Sequence, residues 1–349
     1  MKAVENIISE RRLLEHIDHS LIVNLRYAFQ DDENLFMVLD LMLGGDLRFH
    51  LEMMGALPES YVQFYAAEIA LTLNYLHSKK IIHRDIKPDN ILLDKKGHAH
   101  LTDFNVAIQL GNKNTKPLTS VTGSMAYMAP EILRKQGYFY SVDWWSLGIS
   151  LYELLYGRRP FQGKTNEELQ RSILYDSIEF PKEVNVSSNA ISFIRELLKR
   201  DIHERIGVGE SGFEKLKSHP WLKDMCWDIL ASKVLNAPFV PDETKSNFDP
   251  THELEEVLLE DNPLKVKKRI GKFPKKSISN HELAIMAMED GFPEKMLLEE
   301  KFLTYDYTKP NGARTYSTDE NYHPSKTSTS TLIGASSSHL DKPKSVHTA

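Results

Sequence analysis

The stretch His83-Arg84-Asp85-Ile86-Lys87-Pro88-Asp89-Asn90 is the most telling in this chain, because two further groups stand at fixed spacing beyond it. Asp103-Phe104-Asn105 begins thirteen residues after Asn90, and Ala129-Pro130-Glu131 ends 28 residues after Asp103. Each group alone is an ordinary loop, with Asp or Asn capping its own backbone. In series, the order and spacing are too specific for chance. On either side, 91–94 and 99–102 read as short strands, and 60–78 as a long helix with Val62, Tyr65, Ile69 and Leu73 on one side. Gly44-Gly45 breaks a strand, and Asp46 can cap the helix after it. Residues 21–29 and 35–42 read as strands around Asp31-Asp32-Glu33-Asn34, and 3–15 as a helix. Downstream, to about 227, the signals are mostly helical and no repeat is visible.

Composition narrows the function classes. The 349 residues carry 43 Lys+Arg against 49 Asp+Glu, a net charge of −6, which argues against a nucleic-acid partner for the whole chain. Hydrophobic residues make up 41%, enough for a core. The single Cys226 excludes an intramolecular disulfide and a multi-cysteine zinc site. It fits a reducing compartment, so the expected location is the cytoplasm and also the nucleus. No apolar run suggests a transmembrane segment, and the first residues lack the apolar stretch of a secretory signal.

The series resembles the signature set of the protein kinases. The resemblance covers about residues 1–270 and implies an α+β, bilobal fold that transfers the ATP γ-phosphate to protein Ser/Thr hydroxyls with Mg²⁺. It implies that Asp85 accepts the hydroxyl proton and that Lys87 reaches the phosphate, the latter favouring Ser/Thr over Tyr acceptors. Asn90 and Asp103 are implied as hard oxygen ligands for Mg²⁺. Leu39, Asp40, Leu41 and Met42 would meet adenine through backbone groups, and Leu92 would form the apolar floor below it. Glu10 matches the helix glutamate that pairs the nucleotide-binding lysine. Asp143, in Ser141-Val142-Asp143-Trp144-Trp145-Ser146-Leu147-Gly148, matches the buried acid that holds the catalytic loop, and Arg205 the partner of Glu131.

Within the kinases, Phe36-Met37-Val38-Leu39-Asp40, Gly44-Gly45-Asp46-Leu47 and Tyr127-Met128-Ala129-Pro130-Glu131 resemble the AGC group. Three features are similar to its YANK subfamily. They are Asp103-Phe104-Asn105, Asp143-Trp144-Trp145-Ser146-Leu147-Gly148, and Asp249-Pro250-Thr251-His252-Glu253-Leu254-Glu255-Glu256 before a basic run. Asn105 replaces the usual glycine and can still adopt a positive φ. Asp46, Asp89 and Glu153 fall where AGC kinases place acids facing substrate arginines, implying protein substrates basic around the phosphoacceptor. Ser120 falls at the activating phosphosite, with Thr119 as the neighbour one residue away, and Ser124 where a hydroxyl contacts Asp85 and Lys87.

The departures lie at the start of the chain. No Gly precedes Gly44, and Lys2 is only eight residues before Glu10. The small lobe is therefore expected to lack its first strands, with a glycine-rich loop and the nucleotide-binding lysine absent, as in a truncated gene model or an internal start. A chain of that kind would bind ATP weakly and leave a sheet edge exposed. The alternative reading is a non-catalytic, kinase-fold binding or scaffold module. The expected division is a small-lobe remnant and hinge over 1–42, a near-complete helical large lobe over 43–227 and a C-terminal extension over 228–276. Helices are expected within 277–303, and a disordered Ser/Thr-rich tail over 304–349. The extension holds an acidic helix at 252–260 and a lysine-rich run at 263–276 that suits an acidic lipid or protein. His98 and His100 read as hydrogen-bonding groups, since a metal would need further ligands beside them.

Overall fold

The computed structural model describes residues 2–31, 34–111, 116–242, 244–248, 298 and 301–309. The expected acidic helix, the basic run and the helices up to 297 lie outside these, as does the rest of the tail from 310 on. In chain order the elements are helix α1 (Lys2–Leu14), strands β1 (Leu25–Gln30) and β2 (Leu35–Leu39), helices α2 (Leu47–Met54) and α3 (Glu59–Ser78), then strands β3 (Ile81–Ile82), β4 (Ile91–Leu93), β5 (Ala99–Leu101) and β6 (Ile108–Gln109). Helices α4 (Pro130–Leu133), α5 (Ser141–Tyr156), α6 (Asn166–Tyr175), α7 (Ser188–Leu197), α8 (Gly212–Ser218) and α9 (Trp227–Leu230) come next, and strand β7 (Tyr305–Asp306) is last. Helices and small antiparallel sheets together make this an α+β chain.

The core is built on α5, all sixteen residues of which are buried, including Trp144 and Trp145. Such a helix has no polar face to give to water, so it needs partners all round. α3 packs on one side and α7 on another. Gly148 permits the second contact, because a Cβ there would stand 2.9 Å from the Leu197 Cβ. α3 buries Val62, Tyr65, Ile69 and Leu73, the stripe seen in the sequence, but also Ala66, Ala67 and Ala70, so its buried face is wider than that stripe. Asp46 caps α2 by accepting the Phe49 N–H at 2.8 Å.

β1 and β2 pair antiparallel, with Ala28 opposite Met37, and the Asn34 N–H donates to Asp31 Oδ1 at 2.7 Å across their turn. β1 starts at Leu25 rather than at 21 because the preceding backbone is used elsewhere. Val23 N–H donates to Leu101 O and Leu101 N–H to Leu21 O, both at 3.0 Å, tying this segment to β5.

The end of the described chain is ordered past 304, where a disordered tail was expected, and covers the β1 edge of the small sheet, while β2 remains an outer strand. β7 pairs antiparallel with β1, Ala28 facing Tyr305 and Tyr27 facing Asp306, and the Tyr307 N–H donates to Arg26 O at 3.1 Å. Three residues before β7, Phe302 is 1% exposed, with the Arg11 guanidinium 5.3 Å from its ring centre. Burying a phenylalanine stabilises by about 1.5–3 kcal/mol, which offsets the ordering of one or two residues. Pairing the strand edge and stacking Arg26 over Tyr307 at 4.9 Å add to that. Between α9 and residue 248 the chain runs back past α2 and the segment before it. The Phe239 ring stands 4.9 Å from that of His50, and Asn247 Nδ2 donates to Leu43 O at 3.1 Å.

Candidate active site

Asp143 on α5 fixes the loop that runs from His83 to Asn90. It is fully buried and accepts the backbone N–H of His83 at 3.0 Å and of Arg84 at 2.8 Å, while His77 Nε2 lies 2.8 Å away. Burial alone would raise its pKa, but His77, His83 and the Arg84 N–H outweigh that and hold it low. The loop it grips is strained, since Arg84 has φ 70° without being glycine.

That grip delivers Asp85. Its Oδ1 accepts the Ser124 N–H at 2.8 Å, and its Oδ2 accepts Asn90 Nδ2 and Lys87 Nζ, each at 3.1 Å. Lys87 Nζ also donates to Ser124 Oγ at 3.0 Å, the contact expected of Ser124. Burial pushes the Asp85 carboxyl up, yet the Ser124 N–H and Lys87 prevail and its pKa is lowered, so it is ionised near neutral pH. Ser124 can approach because Gly123, at φ 104°, lies where a Cβ would run into the Arg84 carbonyl.

Asp103 joins the group through β5, whose next residue Thr102 donates its N–H to Asn90 O at 3.1 Å. Phe104 is buried with its ring 4.9 Å from that of His83. The positive φ is not at Asn105. It falls at Asp103 (φ 61°), whose Oδ1 accepts the Asn105 N–H at 3.3 Å. The short Asp side chain supplies the local bond that makes the left-handed region tolerable, so the residue in the glycine position is spared it.

The residues just after the expected hinge, Gly44 to Asp46, are tied to the strand that holds Leu92. Gly44 N–H donates to Leu93 O at 2.9 Å, Leu93 N–H to Gly45 O at 2.7 Å, and Asp46 bridges to Leu92. The Asp40 side chain turns back to β1, accepting from Arg26 at 2.6 and 3.1 Å, and its own N–H donates to Asn24 O at 3.1 Å.

Glu10, partly buried on α1, stands close enough to Asp103 to feel its charge. Burial first, then Asp103, push its pKa up to about 7, against a hydrogen bond from the Phe104 backbone. No cation among the described residues pairs with it. A carboxyl raised in the folded state stabilises most when protonated, so its contribution is whole below pH 4.5 and is lost as pH rises through about 7. Glu10→Gln is therefore expected to match the parent chain at about pH 4 and to exceed it at about pH 8 by about 1–2 kcal/mol, discounted for partial exposure. Urea denaturation at the two pH values checks this, and an equal gap at both would contradict it.

The three acids expected to face substrate arginines are placed differently from one another. Asp46 is spent on capping α2. Asp89 is half exposed, with Arg48 Nε 3.5 Å from its Oδ2. Glu153 is not open at all. It is buried on α5 in a two-pronged contact with Arg48, at 3.1 and 3.0 Å, rather than open to a substrate. In the loop before α4, Ser120 Oγ accepts Arg84 Nη1 at 3.1 Å and its carbonyl accepts the Tyr138 hydroxyl at 2.9 Å, whereas Thr119 is exposed. Sequence reasoning missed Arg48, which no local pattern marks, and gave Tyr127 no role beyond its place before Met128-Ala129-Pro130-Glu131. It also missed the Phe302–Tyr307 segment, which the alternating Tyr305 and Tyr307 could have flagged as a strand. His98 pairs with buried Glu68 at 2.7 Å and His100 with Asp94 at 3.2 Å, the hydrogen-bonding roles read for them.

No group of three or more His, Cys, Asp or Glu among the described residues is placed to hold a metal by itself. Asn90 and Asp103 nevertheless fit Mg²⁺. Asn90 uses its amide nitrogen on Asp85, which leaves its oxygen free, and Mg²⁺ keeps water and phosphate oxygens as most of its ligands.

Comparison with known proteins agrees with this geometry. The protein kinase domain family model matches residues 1–222. The chain is 44% identical over 279 residues to serine/threonine-protein kinase 32B of Homo sapiens, covering 77% of this chain and 65% of that protein. It is 42% identical over 276 residues to serine/threonine-protein kinase 32C of Mus musculus, covering 77% and 55%. With serine/threonine-protein kinase Sgk3 of Rattus norvegicus the figures are 41% over 253 residues, 71% and 50%. The matched chain thus spans about half to two thirds of the length of these relatives. Its catalytic-loop geometry, the buried Asp143 behind it and the family match over residues 1–222 agree, and the chain belongs to the protein kinase domain family.

Proposed function

We propose that this chain carries the catalytic region of a serine/threonine protein kinase that uses ATP and Mg²⁺. The observation that carries the reading is the convergence of Asp85, Lys87, Asn90 and Ser124 in one hydrogen-bonded set, with Asp103 joined through Thr102. Bound Mg-ATP supplies the electrophilic phosphoryl group and neutralises charge around it. The chain's part is positioning. Asp85, ionised and aimed by the Ser124 N–H, orients the acceptor hydroxyl and takes its proton at a carboxylate oxygen. Lys87 brings a cation to the same spot and, by family resemblance, favours Ser/Thr acceptors. Asn90 and Asp103 offer metal-binding oxygens, while the Asp40 carbonyl, Leu41, Met42 and Leu92 suit an adenine ring. The lone, exposed Cys226 suits a reducing compartment. The test is transfer of the γ-phosphate of labelled ATP to Ser, Thr and Tyr peptides by the full-length protein, with Asp85→Asn as control. Label on Ser or Thr that vanishes with Asp85→Asn supports the reading. No transfer by the full-length protein would favour a non-catalytic, kinase-fold binding module.

Ser120 is proposed as a phosphorylation site of the same kinase. Its hydroxyl already touches Arg84, beside a cavity of about 970 Å³ that Arg12, His16 and Lys301 help to line. A phosphate there adds roughly −1.5 to −2 charge and would pair with Arg84, next to Asp85. Activity of phosphatase-treated protein is expected to fall severalfold, and Ser120→Ala to mimic that loss while Thr119→Ala does not. Unchanged activity in the treated protein and in Ser120→Ala would remove the switch.

A further inference from the structure

Arg48 sits on α2, two residues after its Asp46 cap, and reaches groups from three other parts of the chain. Its Nη1 donates to Glu153 Oε1 at 3.1 Å, and its Nη2 to Glu153 Oε2 at 3.0 Å and to the Tyr127 hydroxyl at 2.7 Å. The Tyr127 hydroxyl in turn donates to Glu153 Oε2 at 2.5 Å, and Arg48 Nε lies 3.5 Å from Asp89 Oδ2. Arg159 approaches Glu153 from the other side at 3.9 Å.

This network adjoins the reacting position. Asp89 lies between Lys87 and Asn90 on the same turn, and Tyr127 closes the turn that begins at Ser124, the residue bonded to Asp85. A peptide whose hydroxyl meets Asp85 must pass it. Two carboxylates there would attract a flanking arginine if they were free. Glu153 has both oxygens engaged and is 5% exposed, so a substrate guanidinium would first have to displace Arg48. Displacement would strip a three-quarters-buried cation of its partners, a cost that one new pair of the same kind only returns. Arg48 and Arg159 also offset the charges of Glu153 and Asp89, which weakens the pull on an incoming cation.

We propose that Arg48 is a specificity-determining residue, an internal occupant of the carboxylate site, so that this kinase selects acceptor segments without a flanking arginine. The proposal rests on the kinase reading above and replaces the basic preference that the acids alone imply.

The test uses the full-length kinase and a peptide with one serine, with a single arginine moved through the five positions on either side. In the parent protein no position is expected to favour arginine over alanine by more than about twofold in kcat/KM. In Arg48→Ala at least one position is expected to gain about tenfold for arginine. Arg48→Gln, which keeps a hydrogen-bond donor to Glu153 but not the charge, should show the same shift and guards against a misfolded alanine variant. Fluorescence anisotropy with the same labelled peptides reads the carboxylate site without any transfer, and arginine peptides should bind the variants more tightly than the parent. An arginine preference already present in the parent overturns the proposal, as does unchanged selectivity and binding in both variants. Tighter arginine binding by the variants with no phosphate transfer by any form would overturn the kinase reading and leave the role of Arg48 standing.

Discussion

Asp85→Asn is expected to cut phosphate transfer by roughly 10²–10⁴-fold, the range for loss of a positioned general base. The change keeps size and shape, so the surroundings test charge and proton affinity alone. In the parent, Oδ1 accepts the Ser124 N–H, and Oδ2 accepts from Asn90 and Lys87. An asparagine can keep its carbonyl on one of these sets, but its NH₂ then faces donors on the other. Lys87 loses its carboxylate and keeps only Ser124 Oγ. The acceptor hydroxyl loses the group that orients it and removes its proton. Asp143 still holds the backbone of His83 and Arg84, so the loop should keep its course and stability should change by less than about 2 kcal/mol. Single-turnover transfer, with ATP binding measured alongside, separates the two effects. Binding should hold while the chemical step collapses. Turnover within threefold of the parent would remove Asp85 from the role given to it.

The parts of the site that the sequence disclosed are those built from local interactions. Asp85, Lys87 and Asn90 lie within one six-residue stretch, so their closeness was legible, while their roles and that of Asp103 came from the resemblance. Asp143 and Arg205 act over longer distances, and the resemblance was needed to point to them. Two groups of residues were hidden for a physical reason. Arg48 meets Glu153 across 105 residues of chain, and nothing in Asp46-Leu47-Arg48-Phe49 sets that arginine apart from a solvated one. Phe302 and Tyr305 return to α1 and β1 after a stretch rich in charge, where composition argued for helix and then for no structure at all. Asn105 shows a subtler limit. The residue type announced a turn, but backbone strain moved to Asp103, where the side-chain oxygen meets the amide two residues on.

The largest expected loss of stability comes from Arg205→Ala, about 3–5 kcal/mol, as for other buried ion pairs broken on one side. Arg205 is fully buried, with Nη1 2.6 Å from Glu131 Oε1 and Nη2 3.0 Å from Oε2. Its remaining donors reach Ser141 O and Lys199 O, each at 2.9 Å, and its guanidinium lies 5.2 Å from the Trp145 ring centre. Alanine removes all of this and leaves the Glu131 carboxylate in the core with the Ser141 hydroxyl as its remaining partner in this network. That uncompensated charge, more than the missing contacts, sets the size of the loss. Arg205→Met combined with Glu131→Gln should accordingly be less damaging than Arg205→Ala alone, because the charge goes with its partner. Salt provides a second check. A surface pair weakens as ionic strength rises, whereas one sealed between α4 and α5 is screened little. The gap between Arg205→Ala and the parent in urea denaturation should therefore be the same at about 0.05 and 1 M salt, within about 0.5 kcal/mol. A gap below about 1 kcal/mol, or one that closes in salt, would mean that this pair is solvated and that Glu131 is held by something else.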